Sequence, residues 1–584
     1  MAGASKEYIR SLIPDDLPDG RKILEEGKKA GPSIKGGRSR LVRESPFDNY
    51  VELWKDCIEK GELYWATNVG LATVEEEACG IAEIWRWAQK LGIKYHSTLA
   101  IPSTLTAIPK ELRNYDSKNT SYVPETVEDY IALEDIEGME VMQNDQALGV
   151  PNAWFTGISD IVAGSFQAGC ISQLMWNQPG CDDHVSYVTD MLKVMGVIAS
   201  KWDEGFGVSG YSDDTYPSYC ADAIAYVGYA LFEHYVTTTL CGARYTIAYG
   251  GLVSDVRIRS ALLKAFHDLL WTEEQPPVLF VQASTTRYWD HDLEANYGMA
   301  AQEMLMAVLA ERRYKTGAVI LPVPITEKVH VPTIEAIKGM LGACARLEEN
   351  IEQWEDVIDF SKIDEMAEVM KREGAKFFNN MLEVLSAAGL DIEDPMQMLM
   401  FIKNFNPGLF EETFHPSVRE TGKLHTYFPT DMGSLTKNMI DKGMDRVRNA
   451  GLEGVLKGKK VLVASADAHV YGLRYVKNML QCAGAEVVDA GVDASIPYIL
   501  DMADEEGVSL IGVSTHNGQA LGIAEQLLEE IARRDRNCTV FMGGVLNTIL
   551  PGHSEPSDVK NLINERGLFA ENDLLKTIAM LREQ

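Results

Sequence analysis

The sequence predicts an α/β protein in which a closed (β/α)8 barrel of the TIM type precedes an open, doubly wound, Rossmann-like (flavodoxin-like) domain. Two observations carry this. From Val51 to about Leu347 short apolar runs alternate with longer amphipathic ones, the rhythm of parallel βαβ units. At Gly458, after a mostly helical stretch, the rhythm restarts as a shorter open series of about 125 residues. A length of 584 residues accommodates several such domains without disulfide staples.

Charge and cysteine usage narrow the class. The 54 Lys and Arg stand against 86 Asp and Glu, a net charge of -32 that repels phosphate backbones and anionic membranes. The basic clusters at Lys457 to Lys460 and Arg533 to Arg536 are short and have acids close by, so neither nucleic acid nor a membrane is an expected partner. Nine cysteines are scattered without a CxxC pair, which fits a reducing compartment, by default the cytoplasm. The N-terminus carries charges where a signal peptide needs an apolar core, and no run of about 18 apolar residues exists for a membrane span.

Residues 1–50 are rich in Gly, Lys and Arg and read as a surface arm or cap, with GPSIKGGRSR either a solvated loop or a contact for an anion. In 51–350 the expected strands are 63–68, 93–101, 141–150, 196–200, 235–240, 245–249, 277–284 and 317–324, separated by helical patterns such as VEEEACGIAEIWRWAQKL. Residues 351–455 are acidic, helical and Met-rich, a connector or interface module. In 456–584, KKVLVAS, AEVVDAG, SLIGVSTH and NCTVFMGG are strands of an open sheet whose ligands belong at the carboxyl ends.

The sharpest chemical feature is Asp467-Ala468-His469-Val470-Tyr471-Gly472, just after the first of those strands. A histidine there can offer one ring nitrogen to a metal while the carboxylate two residues earlier accepts a hydrogen bond from the other. One histidine makes no zinc site, but a metal already held by a macrocycle needs only an axial ligand. The third strand ends in Ser514-Thr515-His516-Asn517-Gly518 and the fourth in Gly543-Gly544, on the same edge of the sheet.

The array DAHVYG, GVSTH and MGG at this spacing resembles the cobalamin-binding domain of carbon-skeleton mutases and cobalamin-dependent methyltransferases. The resemblance implies His469 as the lower axial cobalt ligand, displacing the corrinoid's own dimethylbenzimidazole. It further implies Asp467 as orienter of the histidine, Ser514 with Thr515 as donors to the displaced base, and Gly472, Gly543 and Gly544 along its channel.

Residues 60–350 resemble the barrel subunit of glutamate mutase and the related methyleneglutarate mutase. The matching pieces are Glu204-Gly205-Phe206-Gly207-Val208-Ser209 with Tyr211, then Tyr249-Gly250-Gly251, and Glu327 with His330-Val331-Pro332-Thr333. This implies adenosylcobalamin as cofactor and a radical rearrangement of a small carboxylic acid, amino or unsaturated. Glu204 is then the contact to a substrate ammonium, Tyr211 a second catalytic residue, and Glu327 a contact to the adenosyl ribose.

One departure bears on the substrate. Where glutamate mutase grips a dicarboxylate with three arginines, this chain has Asn68, a stretch holding Lys110 and Arg113, and Leu148-Gly149-Val150. Arg244 and Arg287, near other strand ends, are candidates for an anionic group, and Pro322 and Pro324 are candidate strand caps. A corrinoid methyltransferase using the same His469 is the rival enzyme, and a corrinoid carrier or light sensor the rival without catalysis. A homo-oligomer, in the first instance a dimer, is expected. No GxxxxGK[ST] segment occurs, so a reactivating ATPase would be a separate chain.

Overall fold

A computed structural model describes the chain outside residues 1–2, 114–120, 143–146, 179–180, 182, 273–278, 284–288, 290, 328–329, 467–469, 493, 517–518 and 549–556, with no side-chain description at 214, 280, 282 and 283. It divides into two compact units, the first comprising 1–405 and 410–431 and the second 406–409 and 432–584.

In the first unit β1 (Trp65–Val69), β2 (Tyr95–Ala100), β3 (Glu140–Met142), β4 (Gln167–Cys170), β5 (Gly207–Tyr211), β6 (Arg244–Tyr249), β7 (Leu279–Ala283) and β8 (Val319–Pro322) form one parallel sheet. Their spatial order is β3-β2-β1-β8-β7-β6-β5-β4, so the first strand lies beside the last. Between β3 and β4 the described residues show an isolated parallel bridge, Leu148 to Cys170, made by Gly149 N–H to Cys170 O (3.0 Å) and Cys170 N–H to Ala147 O (2.9 Å). The described residues thus give the strand order of a barrel without a full ladder at that seam.

Six of the expected strands are found, the one at 141–150 shortened to β3. Two are not strands. Residues 196–200 end the helix His184–Ala199, where buried Val188, Met191, Leu192 and Met195 follow the helical repeat and override β-branched propensity. Residues 235–240 continue the helix Ile224–His234 as a π-helical turn. In their place stand β4 and β5, QAGC and GVSGY, whose small side chains present no apolar run.

Helices pack on the outer face of the sheet. Tyr249 of β6 meets Phe266 of the helix Val256–Leu270 edge-on at 4.9 Å between ring centroids. The N-terminal segment is a packed cap rather than a free arm: its helix Gly20–Ala30 lies so close to His184–Ala199 that a Cβ on Gly27 would come within 2.0 Å of Lys193 O. Residues 351–431 are helical, with Pro395, Pro407 and Pro416 each opening a helix, and the unit boundary at 431 divides the region expected at 351–455. Met370, Met381, Met396 and Met398 are buried in it. Among the described residues no helix is long and apolar enough to cross a membrane.

In the second unit β9 (Lys460–Ser465), β10 (Glu486–Asp489), β11 (Leu510–Thr515) and β12 (Thr539–Gly544) are followed by a short antiparallel pair, β13 (Asn547–Thr548) with β14 (Ser557–Asp558), and by β15 (Phe569–Ala570). The main sheet is parallel in the order β10-β9-β11-β12-β15, the doubly wound Rossmann-like arrangement with a switch of direction between β9 and β11.

Several carboxyls are buried at or behind the strands of the first unit. Glu77 is fully buried, accepts Leu71 N–H at 2.7 Å, and burial pushes its carboxyl up to about 8. Its unfolded counterpart ionises near 4.5, so between these values the folded chain binds more protons and stability falls as pH rises. We predict that Glu77→Gln lessens the loss of urea resistance between pH 5 and pH 9 relative to wild type, each pKa unit being worth about 1.4 kcal/mol. Equal losses in both proteins would contradict this.

Candidate functional site

At the switch point of the second unit the carboxyl ends of three strands are in register. Ser465 of β9 pairs with Ser514 of β11, which pairs with Gly543 of β12, and Thr515 pairs with Gly544. Ala466 N–H donates to Ser514 O at 3.0 Å, tying the chain that leaves β9 to the end of β11. Val470 then opens the helix Val470–Cys482 and is itself buried. His469 and Asp467, the expected cobalt ligand and its orienter, lie outside the described residues. Among the described residues no group of His, Cys, Asp and Glu is arranged to hold a metal ion.

Of the other expected cofactor residues, Gly472, Ser514, Thr515, Gly543 and Gly544 lie at this edge, while Glu327 belongs to the first unit. A Cβ on Gly472 would lie 3.2 Å from Ser514 Oγ, and one on Gly544 would lie 3.3 Å from the same atom, so the two glycines flank the serine hydroxyl. Ser514 keeps 8% exposure while Thr515 is buried and donates to Val545 O at 3.3 Å. Gly544 has φ +97, and its Cβ would strike Thr515 O at 2.2 Å, so the sheet itself requires glycine there. A Cβ on Gly543 would meet Glu571 O at 3.3 Å. A hydroxyl reachable from a glycine-lined cleft fits a flat ligand with a polar tail.

In the first unit the expected pair separates. Tyr211 is the last residue of β5, at the carboxyl edge, where its N–H donates to Ser172 Oγ at 2.6 Å. Glu204 precedes β5, because the strand expected before it is the end of a helix, and so it stands at the amino edge. It is half-exposed and pairs with buried Lys201 at 2.9 Å. Arg244 is also at an amino end, with its guanidinium 4.0 Å over the Trp202 ring and Nε donating to Trp202 O. Lys110 and Arg113 both pair with Glu125. Pro322 ends β8, Glu327 follows in an exposed turn closed by its N–H on Pro324 O, and Arg287 lies outside the described residues.

Among the described residues Asn68 Oδ1, Gln167 Oε1 and Ser212 Oγ are buried without a hydrogen-bond partner, on or next to β1, β4 and β5; Gln167 and Ser212 carry no motif that marks them in the sequence. Gln167 Nε2 reaches across β5 to Thr246 Oγ1 at 2.8 Å, which places its side chain on the face away from Glu233 and the helices. Asp213 accepts Tyr226 O–H and Gly251 N–H, and burial pushes its carboxyl up to about 6.

Residues 460–560 match the B12 binding domain family. The second unit carries a cobalamin-binding domain. Weak homology extends to two glutamate mutase sigma subunits of Haloarcula marismortui. Sigma subunit 2 is 32% identical over 84 residues, 14% of this chain and 57% of the relative's own length. Sigma subunit 1 is 28% identical over 125 residues, 21% of this chain and 81% of the relative. A crystal structure of a novel cobalamin-binding protein from Desulfitobacterium hafniense is similar at 19% identity, covering 39% of this chain and 98% of that one with a TM-score of 0.20.

Gly472 lies within a helix, where alanine is favoured over glycine by about 1 kcal/mol. Gly472→Ala is expected to leave the second unit as stable as before or more so. The added methyl beside Ser514 Oγ is expected to weaken cobalamin binding by about tenfold, a change of 1.4 kcal/mol. Spectrophotometric cobalamin titration beside thermal unfolding checks both; undiminished binding would contradict the cleft.

Proposed function

We propose that the chain is an adenosylcobalamin-dependent mutase that rearranges a small carboxylic acid by a radical route. One observation carries the reading. A cobalamin-binding domain whose Ser514, Gly472 and Gly544 converge at the switch point shares a chain with eight parallel strands that hold unpartnered buried polar groups. The eight strands are read as a (β/α)8 barrel with the substrate at their carboxyl ends.

On this reading His469 would hold the cobalt of the corrinoid, Asp467 would orient that histidine, and Ser514 and Thr515 with Gly472, Gly543 and Gly544 would hold the nucleotide tail. When bound, adenosylcobalamin supplies a 5'-deoxyadenosyl radical by homolysis of its cobalt–carbon bond. The residues of the first unit would hold the acid and exclude water: Tyr211 borders it, and Asn68 and Gln167 offer amide oxygens. The ammonium contact expected of Glu204 has no support in its placement at the amino edge, so the amino group of the substrate is not part of the proposal.

Purified protein is expected to turn over at least one member of a panel of small branched, unsaturated and amino carboxylic acids, and only with adenosylcobalamin. Product NMR and anaerobic EPR showing an organic radical would accord with this. Methyl transfer from methylcobalamin without a radical signal would select the methyltransferase, and binding without either reaction would select a carrier or sensor.

His469→Ala is expected to leave the second unit folded and to remove the imidazole nitrogen splitting from the EPR spectrum of bound cobalt(II) cobalamin. Asp467→Ala is expected to weaken binding less, within about 10 to 100-fold, because it acts on the ligand and not on the metal. Retention of the histidine splitting after His469→Ala would refute the axial assignment.

A further inference from the structure

Behind β5, on its helix-facing side, sits a carboxyl that neither the motifs nor the comparisons assign. Glu233 belongs to the helix Ile224–His234 and is fully buried. Ser172 Oγ, in the turn that follows β4, lies 3.0 Å from Glu233 Oε1, and Tyr245 Oη of β6 donates to Oε2 at 2.8 Å. The same Ser172 Oγ accepts the N–H of Tyr211 at 2.6 Å. Room for the carboxyl comes from Gly210, where a Cβ would stand 2.1 Å from Glu233 Oε2 and 2.5 Å from Tyr245 Oη. One side chain thus joins the turn after β4, the last peptide of β5 and the start of β6.

We infer that Glu233 is a positioning residue for the carboxyl edge of this sheet, setting the main chain of Tyr211 through Ser172 for a ligand bound there. This rests on the mutase reading insofar as the ligand is that reaction's substrate; the chain of hydrogen bonds does not. Burial pushes the Glu233 carboxyl up to about 7, and its two oxygens accept from the Ser172 and Tyr245 hydroxyls. Glutamine has the same shape, its amide oxygen can accept from Ser172 and its amide N–H can donate to Tyr245 Oη; alanine can do neither and leaves two hydroxyls without their partner in a dry site. The helix widens into the π-helical turn Tyr235–Leu240 two residues later, a deviation common beside functional sites. Glu233 is a positioning residue and not a catalytic one, because β5 stands between its carboxyl and the face that Gln167 crosses.

The test compares Glu233→Gln, Glu233→Ala, Ser172→Ala and the double variant S172A/E233A in the full-length, adenosylcobalamin-loaded protein, well below the unfolding temperature of each. Rates are taken per folded, loaded molecule with whichever acid the wild type converts. Glu233→Ala is expected to lower kcat by about 10 to 100-fold with KM changed by less than about threefold, since misplaced groups lose rate more than affinity. Glu233→Gln is expected to restore at least about a third of the wild-type rate, and the double variant to be no slower than Glu233→Ala, because the two residues act in one chain of bonds. Hydrogen exchange of the peptide spanning 207–212 needs no substrate, and Tyr211 N–H is expected to exchange about tenfold faster in Glu233→Ala and near the wild-type rate in Glu233→Gln. Unaltered exchange in Glu233→Ala overturns the inference whether or not an acid is converted. Raised exchange with a wild-type rate, or a Glu233→Gln rate as low as that of Glu233→Ala, overturns it as well. Raised exchange with no acid converted by the wild type upholds the bonding chain and counts against the mutase reading alone.

Discussion

Parallel pairing is the constraint on which the rest of this molecule depends. Parallel neighbours cannot be joined by a hairpin, so each strand must return through a crossover to the edge where it began. All carboxyl ends of a sheet then collect on one edge and all amino ends on the other. In the second unit this sets Ser465, Ser514 and Gly543 side by side and brings Gly472 and Gly544 to the two sides of one hydroxyl. In the first it sets Tyr211, at the end of β5, against Ser172, just past the end of β4. Which edge a residue stands on decides what it can contribute.

That dependence explains which features were legible in the sequence. Strands built from apolar and β-branched runs, such as KVLVAS and LIGVST, were readable, and with them the edge that gathers the loops of the second unit. β4 and β5 were not, because glycine, alanine and serine make strands that leave no apolar signature. GVIAS and YVTTTL misled in the opposite sense: β-branched composition suggested strands where the helical repeat of the preceding residues continued. The consequence reached the site. Moving one strand from 196–200 to Gly207–Tyr211 transfers Glu204 from the carboxyl edge to the amino edge, while Tyr211 stays where a ligand can meet it. Glu233 was visible as the lone acid in the apolar run AYVGYALFEH, but its purpose appears only once Gly210 and Ser172 lie next to it.

Buried carboxyls are the second recurring device. Glu77, Glu134, Glu140, Asp160, Asp213, Glu233 and Glu311 are all held above their ordinary range, with burial the foremost cause in each. Burial disfavours the charged form of each, and most are held by hydrogen bonds. Glu311, for example, accepts Gly317 N–H at 2.7 Å just before β8. Glycine takes the complementary part at Gly210, where a Cβ would stand 2.1 Å from Glu233 Oε2.

The central claim is that the edge formed by β9, β11 and β12 binds a corrinoid through His469 with its own base displaced. A crystal structure of the protein with bound cobalamin tests it most directly. The predicted result is His469 Nε2 bonded to cobalt and the dimethylbenzimidazole tail running past Ser514 between Gly472 and Gly544. A corrinoid whose dimethylbenzimidazole still ligates cobalt, or one bound elsewhere on the chain, would contradict it.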